Sequence, residues 1–462
     1  MKRSGDIEQL AAAVRFGLGA RASDIEAMAG DPRGWLLAQI DRPGEEPGPV
    51  VAPEVKLDVS KYYASRLAEF AALRVNDQDQ ADMVVRDRRP LTVRIRTALA
   101  SAELEGLRRA VTTEAPFRER LVRFWTNHFS VWPKSRNGRV AVPYFEQSAI
   151  APFITGPFED LLLSSTRHPA MQIYLDNWKS VGPNSPIGLK EEQGLNENLA
   201  REILELHTLG SEGGYTQDDV IALAAALTGW TFRSPHEAET SWDFVFRKRR
   251  HEPGAVTVMG KTYRNGGGRT AELILRDIAR HPSTARHLST KLARHFVADD
   301  PPEAVVKKLS AVYLNSGGDL GEVSRALVSL DEARDHLFSK LKQPGDFVVS
   351  SLRALDFEMD EDLAKLAAAH QTAMGQPPLK PPGPQGWYDT FGDWNDPSSL
   401  RRRVEWSIVL AARGGDTLAP IAAAERNLGT HLDRDTRLAI ERAPSRQEAA
   451  ALLVASPLFQ RR

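Results

Sequence analysis

The stretch Leu195-Asn196-Glu197-Asn198-Leu199-Ala200-Arg201-Glu202-Ile203-Leu204-Glu205-Leu206-His207-Thr208-Leu209 places leucine or isoleucine at 195, 199, 203, 206 and 209. Spacing by three and four is the period of an α-helix with one face turned to a core. The same rhythm runs through Leu91–Ala110, Phe117–Val131, Val220–Trp230 and Ala285–Val297. Thr216 followed by Asp219 marks a helix start of the capping-box type. The chain therefore predicts a mainly α fold, a large multi-helical body.

Two regions depart from this period. Trp242, Phe244 and Phe246 alternate, as do Val256 and Val258, with Pro253-Gly254 between them. That pattern predicts one small β-ribbon inserted around Trp242–Tyr263. Met374–Pro397 is rich in proline and glycine and too long for a simple connector. Its prolines and the indoles of Trp387 and Trp394 predict a loop ordered against the body. The organisation expected is a helical body over 1–373, this loop over 374–397, and C-terminal helices over 398–462 packed on the body.

Composition removes whole classes of function. Of 462 residues, 60 are Lys or Arg and 61 Asp or Glu, so bulk charge offers nothing to attract nucleic acid. Cysteine is absent, which removes disulfides, thiol nucleophiles, iron–sulfur clusters and cysteine-held zinc. A metal would have to use His, Asp, Glu or Asn, and no sequence motif selects a metal or a cofactor. No apolar run approaches the ~20 residues of a membrane span. Met1–Leu10 contains Lys2, Arg3, Asp6 and Glu8 and lacks the apolar core of a secretion signal, so a cytoplasmic location is expected.

Projecting the helices at about 100° per residue shows which polar side chains fall in apolar stripes. Glu202 falls among Leu199, Ile203 and Leu206, flanked by Asn198 and Glu205, while His207 points away. His128 falls near the centre of the Phe117, Leu121, Phe124 and Val131 stripe, with Asn127 toward its edge. His295 lies inside the Ala285, Leu288, Leu292 and Phe296 stripe, with Lys291 at its edge. A buried carboxylate has to be protonated, paired or metal-bound. Glu202 is thus expected to be buried beside Asn127, His128 or an arginine. His251, closing the run Arg247-Lys248-Arg249-Arg250, is expected to be exposed and free to act on a ligand.

The run Asn196–Gly210, together with Gly214-Tyr215-Thr216-Gln217-Asp218-Asp219-Val220 and Leu227-Thr228-Gly229-Trp230-Thr231, resembles the signature of the bacterial domain-of-unknown-function family 1800. Arg15-Phe16-Gly17-Leu18-Gly19, Phe124–Phe129, His281–Arg286, Gly386-Trp387 and the terminal Ala455–Arg462 extend the resemblance over nearly the whole chain. Related proteins are commonly exported, whereas this sequence shows no export signal, and the resemblance implies a sulfatase-like protein as a partner. This chain departs from the family's usual His-Asp in having His251-Glu252.

Two functions follow as expectations. One is a hydrolase acting on a glycan or envelope polymer, with Glu202, Glu205, His128 and His251 as catalytic residues. Asn127, Asn198, Arg201, Trp230 and Trp387 would then bind the substrate. The other is a non-catalytic scaffold for the sulfatase-like partner. A shared pocket for His128, Glu202 and His251 would favour the first, and separate, individually satisfied residues the second.

Overall fold

Helical periodicity becomes helix almost everywhere. The computed structural model describes residues 2–462 apart from 29, 43–45, 193 and 235–241, and 66% of the chain is helical, in 24 α-helices among the described residues. Their starts follow local chemistry. Proline fills the first turn of Pro116–His128, Pro282–Phe296 and Pro344–Ala354, where a missing N–H costs nothing. Gln217–Leu227 opens with the expected Thr216–Asp219 capping box. None of the described helices is long and apolar enough to cross a membrane.

The core is centred on Pro116–His128, buried on most of its circumference. Phe117 meets Phe16 at 5.6 Å and Phe296 at 5.9 Å between ring centroids, both edge-on. These contacts join the N-terminal segment to the helix Pro282–Phe296 around a common aromatic centre, in geometries worth about 0.5–1.5 kcal/mol each beyond area burial.

The single ribbon expected around Trp242–Tyr263 is instead two separate antiparallel pairs. Trp230–Phe232 pairs with Phe244–Phe246, in register Trp230 with Phe246. Val256–Val258 pairs with Lys261–Tyr263. Gly229, at φ +83°, turns the chain directly out of the preceding helix into Trp230–Phe232, so a strand begins where the apolar rhythm still reads as helix. Met259 and Gly260, at φ +50° and +74°, make the tight two-residue turn of the second pair.

Within the segment after residue 373 the buried Trp394 donates its indole N–H to the Tyr388 carbonyl at 3.0 Å. Trp387 and Trp394 lie 5.9 Å apart between ring centroids. The C-terminal helices begin with Pro397–Gly414, which buries Trp406 and ties its indole N–H to Ser351 Oγ at 2.8 Å.

Fully buried arginines fasten distant segments. The Arg353 guanidinium meets Asp24 at 2.8 Å and donates to the carbonyls of Gly19 and Val111. One side chain thereby holds the N-terminal segment, the end of the long helix Gln78–Thr112 and the helix Pro344–Ala354 together. Asp24→Asn leaves that cation uncompensated and is expected to destabilise the protein by about 3–5 kcal/mol, read as a lowered urea midpoint at unchanged slope.

Candidate functional site

A cavity of about 420 Å³ opens between two helices and the proline-rich loop. Pro116–His128 lines it with Arg120, Arg123, Phe124 and Asn127, at i, i+3, i+4 and i+7. Pro282–Phe296 faces it with His287, Lys291, Arg294 and His295, again on one stripe. Two short π-helical stretches reach the same space, Glu146–Ile150 with Glu146 and Ile203–His207 with Leu206. Such stretches recur where a backbone is deformed to present a site.

Asn127 holds the loop as a roof. Its Oδ1 accepts from the Trp387 N–H at 2.7 Å and its Nδ2 donates to the Trp387 carbonyl at 2.9 Å, so the side-chain amide mimics a backbone partner. Gly386 sits at φ +78°, and a Cβ there would run into the Asn127 carbonyl. A second anchor is Asp389, which accepts from His295 Nδ1 and from Arg462 at 3.0 Å. The Arg462 guanidinium also faces His295 Nε2 at 3.3 Å. His295 is therefore a neutral ring with its proton on Nδ1, and burial, only partly opposed by Asp389, lowers its pKa to about 4.

The charges in the wall are unequally satisfied. Asp346 pairs with Arg120 at 3.0 Å, Asp389 with Arg462, and Glu146 with Arg109, with Thr126 adding a hydrogen bond at 3.1 Å. Arg123, Lys291 and Arg294 have no carboxylate within ion-pair distance among the described residues, and Arg294 has only the Asp299 carbonyl at 3.1 Å. Burial and the neighbouring Arg294 lower the Lys291 pKa to about 8. Three cations thus face one cavity while its nearby acids are engaged elsewhere. Glu103 at the rim is the exception, with its pKa raised by burial.

Under this wall lie His128 and His207, and the His128 ring is 6.1 Å from that of His207 and 6.4 Å from that of the wall residue His287. His128 Nε2 donates to the His207 carbonyl at 3.1 Å. Its Nδ1 and His207 Nε2 are buried without a partner among the described residues. Burial, reinforced by the Lys291 charge, holds all three rings neutral. No group of three or more His, Asp or Glu side chains among the described residues is placed to hold a metal ion.

The residues singled out from the sequence are therefore dispersed. Asn127 and Trp387 line the cavity; His128 is sealed beneath it, 1% exposed. Glu202 is half-buried, with no hydrogen-bond partner among the described residues, and its pKa is raised by burial and by Glu205. Glu205 accepts from Tyr215 at 3.3 Å. Neither carboxylate lines the cavity. The wheel misplaced them because the helix starts only at Asn198 and passes into π geometry at Ile203, a turn that carries His207 into the core instead.

His251 is buried rather than exposed, its Nδ1 on the Thr228 carbonyl at 3.0 Å and its ring against Phe246. Glu252 accepts from the Asn184 side chain at 2.6 Å and backbone N–H at 3.0 Å, bracing a neighbouring loop. Arg201 binds Glu197 and Gln217, and Asn198 is exposed. Trp230 is 1% exposed, with Arg167 over its ring and its N–H on the Gly268 carbonyl, so it offers no face to a ligand. Arg123, Arg294 and His287 were missed; the polar stripe 287, 291, 294 and 295 was the available signal.

Residues 11–461 match the family model described as "Protein of unknown function (DUF1800)". No curated protein and no solved structure gives a significant match.

Gly386→Ala is expected to release the loop from Asn127, with a positive-φ penalty of about 1–3 kcal/mol added to the steric clash. The readout is a red shift of tryptophan emission and a lowered Tm. Glu202→Gln is expected to leave Tm unchanged or slightly raised at neutral pH. A raised carboxylate pKa means that the ionised form is disfavoured in the fold, and its removal relieves that penalty. A drop of about 3–5 kcal/mol would instead mark a broken buried pair.

Proposed function

Since the chain belongs to the DUF1800 family, whose description assigns no activity, its function has to be read from the cavity, and we propose that it binds an anionic, hydroxyl-rich ligand of the acidic-sugar class there. The observation that carries this reading is the trio Arg123, Lys291 and Arg294, which line one cavity with no carboxylate within ion-pair distance among the described residues. Concave, partly desolvated cations act more strongly on an incoming anion than exposed ones.

The remaining wall suits hydroxyls. Gln371 and Gln385 line it with side-chain amides that have no hydrogen-bond partner among the described residues. Gln343 and Gln376 are bonded to each other at 2.8 Å. Trp387 and Tyr388 supply ring faces at the roof. Few polar groups converging on a mostly apolar cavity is the usual form of a small-ligand site. Hydrolysis of the ligand by Glu202 and Glu205 is the finer expectation. Both stand outside this cavity, so binding is the part carried forward.

A scaffold for a sulfatase-like partner is the second reading. It is favoured by the exposed Leu67, Phe70, Val75 and Met83 at the end of the hairpin formed by Pro53–Arg74 and Gln78–Thr112. That reading leaves the unpaired cations of the cavity without a purpose, and it takes second place.

The test is calorimetric titration with galacturonate against galactose. Galacturonate is expected to bind and galactose to bind far more weakly, and Lys291→Gln to cost about tenfold in galacturonate affinity, the worth of one charged hydrogen bond. Affinity for galacturonate should also fall as pH rises through about 8, where the Lys291 ammonium loses its proton. Equal binding of the two sugars, or no binding of either, would sink the proposal.

A further inference from the structure

A second cavity, of about 900 Å³, adjoins the first. Glu103 lines both, and the walls are continuous in sequence from Val131 to Trp132 and from Leu379 and Pro381 to Lys380. The second cavity is bounded by the hairpin Pro53–Arg74 and Gln78–Thr112 on one side and by the start of Arg136–Phe145 on the other. Its walls carry Arg96, Lys134, Arg136, Arg139 and Lys380 against the single carboxylate of Glu103. None of these five cations has a carboxylate within ion-pair distance among the described residues. A chain of near-zero net charge thus concentrates positive charge along one groove, which focuses its field there.

Rings accompany the charges. Arg136 lies over Tyr62 at 5.4 Å and Lys134 over Trp132 at 5.3 Å, and Trp132 is 38% exposed. Between the two cavities Glu103 is an exposed side chain with no hydrogen-bond partner among the described residues and with Lys380 and Arg139 near enough to act on its carboxyl. A carboxyl so placed can take or give a hydrogen bond to a hydroxyl passing it.

We infer that the two cavities are consecutive subsites for one acidic polysaccharide chain, which crosses from the first to the second at Glu103. The inference rests on the acidic-sugar reading of the first cavity and extends it from a single unit to a polymer. Repeated carboxylates would meet the cations of the second cavity, a pyranose face would meet the exposed side of Trp132, and hydroxyls would meet Glu103. A single-stranded DNA fits less well, because its backbone offers no free hydroxyls along the chain to Glu103 or to the amides of Gln371 and Gln385.

The experiment titrates the full-length protein with galacturonate, its linear trimer and its linear hexamer, and with a hexameric single-stranded oligonucleotide. The hexamer of galacturonate is expected to bind at least about tenfold more tightly than the monomer, because engaging the second subsite becomes intramolecular once the first is filled. The double variant Arg136→Ala with Lys380→Ala is expected to bring the hexamer down to the affinity of the monomer. Arg139→Gln gives the same comparison should the double variant fold poorly. Equal affinity for monomer and hexamer would overturn the inference while leaving the first-cavity reading intact. Failure of every galacturonate to bind would overturn both. Tighter binding of the oligonucleotide than of the sugar hexamer would assign the groove to nucleic acid and overturn the polysaccharide proposal.

Discussion

The Asp389 carboxylate is the point on which the candidate site depends. It belongs to the proline-rich loop, yet it is held inside the body by His295 from Pro282–Phe296 and by Arg462. Lys340 reaches the same residue through its backbone carbonyl at 2.8 Å. Burial alone would favour the neutral acid, but His295, Lys340 and Arg462 hold it far below the ordinary carboxylate range. A carboxylate in this position converts a segment with little secondary structure into a fixed wall, and Asn127 completes the attachment by bonding both backbone groups of Trp387.

Around that anchor the molecule buries more basic than acidic groups. Arg120 and Arg462 share Asp346. Arg15 is wholly buried and bonds to the His336 carbonyl; burial and its neighbours Arg462 and Arg120 lower its pKa to about 9. Such an interior tolerates few further positive charges, which accounts for the neutral histidines beneath the cavity and for the depressed Lys291. An incoming anion would relieve this imbalance, and the same physics that makes the interior costly makes the cavity selective in sign.

Glu202 and His207 show how a local irregularity reverses a reading. A regular helix through Leu195–Leu209 puts the glutamate in the core and the histidine outside. The change to π geometry at Ile203, closed by Thr208 Oγ1 donating to the Ile203 carbonyl at 2.6 Å, turns the chain so that His207 is buried and Glu202 is left half-exposed. Trp230 is a similar case, since the helix ends at Leu227 and Gly229, at φ +83°, redirects the chain to deliver the indole to a strand buried under Arg167.

From the sequence alone came the mainly helical class, the helices Gln78–Thr112, Pro116–His128, Gln217–Leu227 and Pro282–Phe296, the family resemblance, and the inward stripe holding Lys291 and His295. These depend on spacing within one segment, where the 3.6-residue period and local caps act directly. Tertiary structure alone decided that the stripe 287, 291, 294 and 295 faces the stripe 120, 123, 124 and 127 across a roofed cavity. It also decided that three of those cations have no carboxylate within ion-pair distance among the described residues, and that Glu202, His251 and Trp230 lie elsewhere. Those outcomes depend on which segments meet and on where a π-turn or a positive-φ glycine redirects the chain. Burial and ion pairing are properties of that meeting, not of any one segment's pattern.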